Sequence, residues 1–517
     1  MPRTAHLLAI TIFIVLSSAV CFGGIITVDA DATGNADGSS WVDAYRELQS
    51  ALAAATAGDE VWVAAGTYKP DYDVGTSTHT GDRTATFVLI NGVAIKGGYA
   101  GFGEPDANAR DVEAYETILS GDLNGDDDSN FVNNSENSYH VVTGSGADAN
   151  AVLDGFTISG GNADGIAPED CGGGMYNFTG SPTVVDCTFI ENYALTMGGG
   201  MFNREDSSPA ISNCRFIENK SDDDGGGIRN YLNCHPTINN CTFIGNIAFE
   251  DGGGINNRKN SNATITNCRF IGNIAASGGG MENHVGHAVA TGEATITNCI
   301  FIGNIGEEGG GMRNTDPNPI VTNCTFSENV GSGMRNDSGS RPIVTNCIFW
   351  GNTGGSFDGS STPVVTFSDV EGGYVGTGNI NAEPLFADAA NGDYHLKSQL
   401  GRWDGGRRGW VQDDVTSPCI DAGDPNSDWT AELWPHGKHI NIGAYEGTPQ
   451  ASMSESELGN IADLDNNDKI DFADLRVFTE FWLSGQKPLA EDLNRDGSVD
   501  FKDFAIITFH WSEGSSE

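Results

Sequence analysis

The chain has 517 residues, of which 71 are Asp or Glu and only 26 are Lys or Arg, so its formal net charge is −45. This charge argues against nucleic acid and anionic membranes as partners, and it favours a cation such as Ca²⁺. The 70 glycines recur in register with other residues, which indicates an ordered repetitive structure rather than a disordered chain.

The first 23 residues have the composition of a bacterial-type signal peptide. Arg3 and His6 precede an apolar run over residues 7–16, and small residues follow at 17–19. A basic start, an apolar centre and small residues near the cleavage point are typical of secretory signals. No later stretch of the sequence is long and apolar enough to cross a bilayer as a helix. The sequence therefore predicts a protein that is secreted or held at the cell surface.

Residues 24–69 are predicted to form an N-terminal cap. Apolar residues with helical spacing after Ser39 and Ser40 predict a helix, and a strand is predicted over Glu60–Ala64. The apolar positions of the helix are Trp41, Ala44, Tyr45, Leu48 and Leu52. A helix in this place would cover the open edge of the β-structure that follows.

The stretch from 70 to 150 is less regular. Strands are predicted over Phe87–Ile90 and Val93–Lys96, and an acidic loop is predicted over Asp122–Asp128. Within the loop, oxygen-bearing side chains alternate in a way that suits Ca²⁺, and a plain solvated loop explains the same pattern. These side chains are Asp122, Asn124, Asp126 and Asp128.

One phrase recurs between residues 171 and 352. A glycine triplet is followed by Met or Ile, a variable residue and Asn, and later comes Cys-x-Phe-x-x-Asn. The cysteines of this phrase are Cys187, Cys214, Cys241, Cys268, Cys299, Cys324 and Cys347. A period in the twenties indicates coils that bury their apolar faces against their neighbours. Because the segments are rich in Thr, Ile and Phe and are broken by Gly and Asn, each coil is predicted to consist of short parallel strands.

Stacked coils place like residues about 4.8 Å apart. The repeated cysteines are therefore predicted to be buried, mostly free thiols. The Cβ atoms of stacked residues stay about 4.8 Å apart, which is beyond the usual range of about 3.5–4.5 Å for a disulfide. Cys171, Cys234 and Cys419 lie outside the register and are better candidates for pairing. The variable residues after Met or Ile are predicted to form an outward column, which either contacts sugars or simply varies. They are Tyr176, Phe202, Arg229, Asn256, Glu282, Arg313 and Arg335.

Three further groups are candidates for function. Acidic residues near the glycine triplets form either a solvated edge or weak Ca²⁺ sites, and Arg229 with Asp224 and Asp251 is the best candidate for a catalytic group. His284 and His287 form either a metal pair or part of a surface loop. The basic, aromatic stretch 401–410 is either a ligand rim or a covering loop. The acidic residues are Asp222, Asp223, Asp224, Glu250, Asp251, Glu307 and Glu308.

Together, these phrases resemble the repeats of right-handed parallel β-helices of the pectin-lyase-like superfold. The segment Leu153–Asn162 is similar to an earlier coil of such proteins, and Ser417–Asp424 with Asn441–Glu446 is similar to their closing segment. The resemblance implies an all-β right-handed parallel β-helix solenoid over 24–446, with its clearest repeats at 171–352 and its terminal coils and closing segment at 353–446. This superfold carries lyases, hydrolases, adhesins and scaffolds, so it does not fix an activity.

A small, polar linker at 447–459 leads to a duplicated acidic loop within 460–517. Each twelve-residue loop places oxygen ligands at positions 1, 3, 5, 9 and 12, and position 7 contributes a backbone carbonyl. The first loop uses Asp463, Asp465, Asn467, Lys469, Asp471 and Asp474. The second uses Asp492, Asn494, Asp496, Ser498, Asp500 and Asp503. A helical pattern follows each loop, so the sequence predicts a small α-helical domain with two Ca²⁺ sites.

The duplicated loop resembles dockerin type I modules, because Asp occupies position 12 and each loop has a single helix. Asp468 departs from that pattern, in which glycine is usual. The resemblance implies a cohesin-type domain as partner, chosen with the help of Phe472, Ala473, Phe501 and Lys502 at loop positions 10 and 11. A calcium-stapled domain without a partner is the alternative.

Two classes of function follow from the sequence. In the first, the β-helix binds extracellular polysaccharide or another surface, and the dockerin-like domain attaches it to a scaffold. In the second, the same domain carries a polysaccharide lyase or glycoside hydrolase. No pair of carboxylates or positioned base is singled out by spacing, which favours the first class.

Overall fold

A computed structural model describes residues 23–284, 293–456, 458–467, 469–483, 491–496 and 498–511. The main body is a solenoid in which successive coils stack as parallel strands, so the predicted parallel β-helix is confirmed. Three long sheets and one short sheet run along its axis. Each complete coil contributes one short strand to each long sheet, and neighbouring coils pair in register.

The strands of the sheets are short, with three or four residues in most coils. Sheet A is twelve-stranded and contains Ile25–Val28, Glu60–Ala64, Ala94–Tyr99, Val152–Asp154, Thr183–Val185, Ala210–Ser212, Thr237–Asn239, Thr264–Thr266, Thr295–Thr297, Ile320–Thr322, Ile343–Thr345 and Val364–Thr366. Sheet B is eleven-stranded and contains Gly66–Tyr68, Thr117–Ser120, Thr157–Ser159, Thr188–Ile190, Arg215–Ile217, Thr242–Ile244, Arg269–Ile271, Ile300–Ile302, Thr325–Ser327, Ile348–Trp350 and Asp369–Val370. Sheet C is ten-stranded and contains Phe87–Val88, Val142–Thr143, Met175–Phe178, Met201–Arg204, Ile228–Tyr231, Ile255–Arg258, Met281–His284, Met312–Thr315, Met334–Asp337 and Phe357–Asp358.

The remaining elements are small. The four-stranded sheet D contains Asn162–Ala163, Tyr193–Ala194, Lys220–Ser221 and Ile247–Ala248. Three antiparallel pairs are Tyr72–Asp73 with Thr78–His79, Phe386–Asp388 with Asp393–Leu396, and Arg402–Asp404 with Gly409–Val411. The described helices are Leu48–Ala54, Phe472–Glu480 and Phe501–Trp511, with 3-10 turns at Asn134–Glu136 and Ala389–Asn391.

The core of the solenoid consists of side-chain ladders that follow from the repeated phrase. The phenylalanines of the phrase stack face to face, with ring centroids 4.5 to 4.9 Å apart and planes within 6° of parallel. The phrase cysteines are buried beside them. All ten cysteines in the described ranges are free, as predicted for the ladder, whereas the expected pairing of Cys171, Cys234 and Cys419 is wrong. Each of these three donates its thiol to a different local oxygen instead.

Asparagine ladders bond one coil to the next at the corners. The amide of Asn246 illustrates the pattern: its Oδ1 accepts from the backbone N of Asn219 at 3.1 Å, and its Nδ2 donates to Asn273 Oδ1 at 2.9 Å and to the Phe216 carbonyl at 2.8 Å. Because the side chain is fully buried, these bonds satisfy groups that water cannot reach. The repeated Asn is therefore a structural residue of the corner.

The N-terminal cap differs in part from its prediction. The strand Glu60–Ala64 is confirmed. The helix, however, begins at Leu48 rather than after Ser39 and Ser40. The segment before the helix pairs with the first strand instead, since the backbone N of Tyr45 donates to the Thr27 carbonyl at 3.0 Å. The two irregular strands are also shifted, to Phe87–Val88 and Ala94–Tyr99.

The closing segment folds back along the corner between sheets A and B. The carbonyl of Glu446 accepts hydrogen bonds from Asn298 and Asn323, at 2.9 and 3.3 Å. The C-terminal helices lie beyond this segment, and Arg495 donates to the Trp434 carbonyl at 2.6 Å. Within the described ranges, no helix is long and apolar enough to cross a membrane. Residues 1–22, almost all of the predicted signal peptide, lie outside those ranges.

Candidate functional site: the outer face of sheet C and the twin acidic loops

The strands of sheet C place two side chains inward and two outward. In Met201–Arg204, Met201 and Asn203 are fully buried in the interior, so Phe202 and Arg204 point to the outside of the coil. The same holds for the strands paired with it on both sides. Sheet C therefore presents two outward columns, formed by the second and the fourth residue of each strand.

The second-position column is closed to solvent from Tyr176 to Glu282, which corrects the expectation that it forms the exposed face. Further along it, Arg313 and Arg335 are partly exposed. Tyr176, Phe202 and Arg229 are 8%, 2% and 1% exposed. The first glycine of each triplet lies directly over this column with a positive φ, and an added Cβ on Gly225 would sit 2.8 Å from the Cβ of Arg229. The first glycine of the triplet is thus required because the backbone approaches the column too closely for a side chain.

Arg229 consequently belongs to a buried ion-pair network. Its Nη1 lies 2.9 Å from Asp224 Oδ2 and also bonds Asn256, and Arg258 approaches the same Asp224 oxygen at 3.3 Å. Further along the column, the fully buried Glu282 lies 3.5 Å from Arg313. Burial lowers the pKa of Arg229 and raises that of Glu282. The expected catalytic group of Arg229, Asp224 and Asp251 is therefore a closed structural network.

The acidic edge beside the triplets is offset in part by arginines of sheet C. Asp224 is buried against Arg229, and Glu308 pairs with Arg313 Nη2 at 2.9 Å. Oxygens of Asp223, Asp224 and Glu250 still lie within 4.8 Å of one another. The expectation of a fully solvated edge is wrong for Asp224, which is 2% exposed, and weak Ca²⁺ binding there stays a prediction.

The fourth-position column forms the open outer face of sheet C. We call it the aromatic–basic column, and it consists of Phe178, Arg204, Tyr231, Arg258 and His284. The guanidinium of Arg204 lies 5.8 Å from the centre of the Phe178 ring, and Lys259 Nζ lies 4.6 Å from that of Tyr231. Phe178 is 37% exposed, and the other four are partly exposed. Successive side chains of a strand point to opposite faces, so the residue directly after the repeated Asn of each coil is expected to point outward. This pattern in the sequence would have identified the column.

A cavity of about 260 Å³ opens at one end of the column. Its wall includes the rings of Tyr176, Phe202 and Tyr231 together with the carboxylates of Asp170 and Asp223. Burial, together with the nearby charges of Asp224 and Glu250, raises the pKa of Asp223 to about 6. An aromatic wall with carboxylates beside it is suited to a sugar ring, whose apolar face stacks while its hydroxyls bond.

Two other candidates lie close to sheet C or the closing segment. His284 ends its strand, and burial lowers its pKa; its proposed partner His287 lies outside the described residues. In the 401–410 stretch, Trp403 is buried and Arg402 pairs with Asp413 at 3.0 Å. These contacts favour the covering-loop interpretation of that stretch over the ligand rim.

The first of the twin loops gathers its predicted ligands. Oxygens of Asp463, Asp465 and Asp474 lie within 4.8 Å of one another. Asp474 is fully buried, and its Oδ1 accepts from the backbone N of Leu464 at 2.7 Å. Asp471 caps the following helix in a reciprocal pair with Asp474. The remaining predicted positions of this loop are Asn467, whose Oδ1 accepts from the backbone N of Lys469, and Lys469 itself.

The second loop repeats the hydrogen bonds of the aspartate at position 12. Asp503 is fully buried, and it accepts from the backbone N of Asn494 at 2.9 Å and of Asp500 at 2.8 Å. Asp496 pairs with Lys502, and Ser498 donates its backbone N to Asp496. The donor sets of both loops, with Asp492 at the start of the second, consist of oxygen atoms and so fit a hard cation such as Ca²⁺. Asp468 lies outside the described residues.

The predicted partner-binding residues lie at the exposed start of each helix. Phe472 is 78% and Phe501 is 75% exposed, with Ala473 and Lys502 exposed beside them. Each ring contacts a tryptophan from the other half of the domain. The Phe472 ring centre lies 5.3 Å from that of Trp511, the last residue of the second helix, and the Phe501 ring centre lies 4.9 Å from that of Trp482, just after the first helix. The duplicated sequence therefore builds two equivalent aromatic corners on one small domain.

Two family models match parts of the chain. A model for a right handed beta helix region matches residues 120–270, and a model described as Disaggregatase related matches residues 256–423. The first agrees with the coils that the structure has there, so the solenoid is a right-handed β-helix. Comparison with curated proteins gives no match.

Three solved structures are similar to this chain. Pectate lyase Pel9A has 13% identity and a TM-score of 0.41, with 82% of this chain and 97% of that chain covered. A rhamnogalacturonan lyase has 12% identity and a TM-score of 0.35, with 77% and 96% covered. The tailspike protein gp49 from Acinetobacter baumannii bacteriophage Fri1, a capsular polysaccharide depolymerase, has 14% identity and a TM-score of 0.30, with 75% and 67% covered.

Proposed function

We propose that this is an exported protein, with a signal peptide at 1–23, whose β-helix binds extracellular polysaccharide along the aromatic–basic column. In this proposal the solenoid spans 24–446, a linker spans 447–459, and a dockerin-like domain at 460–517 binds Ca²⁺ and docks to a cohesin-type domain of a scaffold.

The observation that carries the proposal is the composition of the aromatic–basic column. Across the described coils 175–284, it is the only outward column of sheet C whose side chains reach solvent. Phe178 and Tyr231 offer ring faces, and Arg204 and Arg258 offer planar donors between them. Successive coils repeat at about 4.8 Å, so an extended glycan chain lying along the solenoid would meet aromatic and basic groups in turn. Arginine suits the carboxylates or hydroxyls of such a chain.

Binding to the column is tested by measuring the affinity of the full chain for a panel of acidic and neutral polysaccharides, with Tyr231→Ala as the variant. We expect a roughly tenfold loss of affinity, as for removal of an aromatic anchor. Phe249→Ala is the matched control, because Phe249 is 74% exposed and lies after a strand of sheet D. Equal affinity of the Tyr231→Ala and Phe249→Ala variants would contradict the proposal.

Docking is tested by passing the full chain over immobilised cohesin domains with Ca²⁺ and with EDTA. We expect binding only with Ca²⁺, and its loss in the double variant Phe472→Ala and Phe501→Ala, since these rings are exposed at equivalent corners. The control is Phe509→Ala, which removes another exposed ring of the second helix. Binding that persists in the double variant would contradict the assigned contact residues.

A polysaccharide lyase or glycoside hydrolase is the second candidate, and the cavity beside the column favours it. Asp223 has the raised pKa of a general acid, and Asp170 lies in the same wall. Incubation with the same polysaccharides, followed by assays for reducing ends and unsaturated sugars, tests this candidate. Turnover that disappears in Asp223→Asn would establish an enzyme, and binding without turnover would leave the first candidate.

A further inference from the structure

A loop between sheets B and C folds back over the solenoid at residues 121–137. It leaves the strand Thr117–Ser120, makes a short bridge between Asp128 and Val132, and ends in the 3-10 turn Asn134–Glu136. It lies close to the corner at Gly160, where an added Cβ would be 3.3 Å from Asp127 Oδ2. The loop and the corner enclose a cavity of about 230 Å³.

Three carboxylates converge at this loop. Oxygens of Asp122, Asp127 and Glu136 lie within 4.8 Å of one another. None of the ion pairs recorded among the described residues includes these three carboxylates. The nearby Lys69 donates to the Leu123 carbonyl at 3.0 Å instead. Like charges held this close to one another repel unless a cation or protons lie between them.

A fully buried amide faces the same carboxylates and has an oxygen to spare. Asn137 is 0% exposed, and its Nδ2 donates to Asp127 Oδ2 at 2.6 Å and to the Gly160 carbonyl at 2.7 Å. Its Oδ1, in contrast, accepts no hydrogen bond from any described residue, and Asn137 lines the cavity. Glu136 Oε1 is buried without a partner in the same way. Buried oxygens without donors are uncommon in folded proteins and point to a missing ligand.

We propose that Asp122, Asp127, Glu136 and the Oδ1 of Asn137 bind a Ca²⁺ ion that fastens the 121–137 loop to the solenoid. The donors are all oxygen atoms, as a hard divalent cation requires. They come from an irregular loop rather than from a rigid octahedral frame, and Ca²⁺ tolerates such geometry better than Mg²⁺ does. The raised pKa of Asp127, about 6 because of burial and the neighbouring acids, is consistent with a site that lacks positive charge until an ion binds.

This ligand set differs from the alternating one suggested by the sequence. Asp122 belongs to both sets, but its Oδ1 accepts the backbone N of Gly125 at 2.5 Å and of Asp126 at 3.3 Å. These bonds turn the chain, so that Asp127 rather than Asp126 or Asp128 meets Asp122. Glu136 and Asn137 come from the far end of the loop, and spacing alone does not identify them.

The test uses the full chain with the twin C-terminal loops silenced by Asp463→Asn, Asp474→Asn, Asp492→Asn and Asp503→Asn. Calorimetric titration with CaCl₂ is expected to give one site in this background that is tighter than the weak binding predicted for the acidic edge of Asp223, Asp224 and Glu250. Its affinity should fall at least tenfold with Asp127→Asn and with Glu136→Gln, and it should be unchanged in the control Glu113→Gln, which removes the charge of an exposed acid outside the loop. MgCl₂ at the same concentration is expected to bind more weakly.

The outcome is decisive in either direction. Absence of Ca²⁺ binding in the silenced chain would overturn the site, whatever the C-terminal loops do. Binding that is equal with and without Asp127→Asn and Glu136→Gln would overturn the assigned ligands. Circular dichroism of each variant establishes that the solenoid is intact. If Asp127→Asn alone disturbs the fold, Glu136→Gln decides the assignment.

Discussion

The solenoid and the C-terminal domain are stabilised in opposite ways. The solenoid has one continuous core that runs from Val28 to Val370, in which each coil repeats the contacts of the coil before it. Among its described residues, the C-terminal domain has a core cluster of five buried apolar residues. They are Ala462, Phe478, Leu493, Val499 and Ile507.

This difference explains why we propose that the chain combines side-chain ladders in the solenoid with Ca²⁺-binding loops in the C-terminal domain. In a solenoid, stability is approximately a sum of equal coil and interface terms, so no single coil decides the fold. A domain with few buried residues lacks that reserve and depends on added constraints such as bound ions. The ladders therefore explain how the solenoid holds its shape, while folding of the C-terminal domain is proposed to depend on Ca²⁺ bound by its loops.

The largest expected effect comes from removing one core ring in each region. Phe270→Ala in the stack and Phe478→Ala in the C-terminal domain each remove a fully buried ring, at a cost of about 3–5 kcal/mol. We expect the solenoid to keep its fold, because its other rings stay stacked, and the C-terminal helices to unfold. Urea unfolding combined with hydrogen exchange measures both. Complete unfolding of the solenoid by Phe270→Ala would contradict the proposed redundancy.

The buried ion pair of sheet C gives the next largest effect. Arg229→Ala leaves Asp224 buried with only Arg258 nearby, and we expect a loss of about 3 kcal/mol in the free energy of unfolding. Arg229→Met fills the same space, but it also leaves the buried Asp224 paired only with Arg258, so Arg229→Met with Asp224→Leu should recover most of the loss. Urea denaturation of the three variants is the measurement. Absence of recovery in the double variant would mean that the packing of Arg229, not its charge, matters.

Removing one rung of the asparagine ladder is expected to cost less. Asn246→Ala removes the side-chain donor to the buried Phe216 carbonyl and the side-chain acceptor of the Asn219 backbone N–H. We expect the free energy of unfolding to fall by about 1–3 kcal/mol. The control is Asn239→Ala, because Asn239 is an exposed residue in the strand Thr237–Asn239. Thermal unfolding of both variants tests this prediction. Equal stabilities would show that water reaches the corner.

A pH dependence of the closing segment is the fourth expected effect. Burial raises the pKa of Glu432 to about 8 and also raises that of Glu446. The folded chain therefore keeps the proton of Glu432 while the unfolded chain loses it near pH 4.3. Stability should fall as pH rises from about 4.5 to 8, by up to about 1.4 kcal/mol per pH unit.

Glu432→Gln isolates that effect, because glutamine is uncharged at every pH. The variant should show a flatter profile of midpoint temperature between pH 5 and pH 8 than the unchanged chain does. Proteolysis of residues 421–447 at pH 5 and pH 8 reports the same change locally. Identical profiles for the two proteins would place the pH dependence elsewhere.

The sequence was sufficient for the architecture because the repeat itself encodes it. The register of Phe270, Cys268 and Asn273 directly predicts the stacks and the buried thiols that the coils contain. The exposed face was not predicted, because it depends on what covers each column. Nothing in the spacing around Arg229 reveals that the backbone at Gly225 lies over it.

The twin loops and the 121–137 loop show the same limit for ion sites. A twelve-residue ligand pattern is local, so Asp463, Asp465 and Asp474 were identified from spacing alone and are found together. Asp127 and Glu136 meet only because the loop turns back on itself, and their convergence is a property of the folded chain. Long-range convergence of this kind has no signature in a single sequence.

Hydrogen exchange of the full chain in Ca²⁺ and in EDTA tests the contrast between the two regions most directly. The account predicts that in EDTA the amides of helices Phe472–Glu480 and Phe501–Trp511 lose their protection, while those of the sheet B strands from Thr188–Ile190 to Ile348–Trp350 keep theirs. Helices that stay equally protected in EDTA would contradict the central claim that ions hold the C-terminal domain and ladders hold the solenoid.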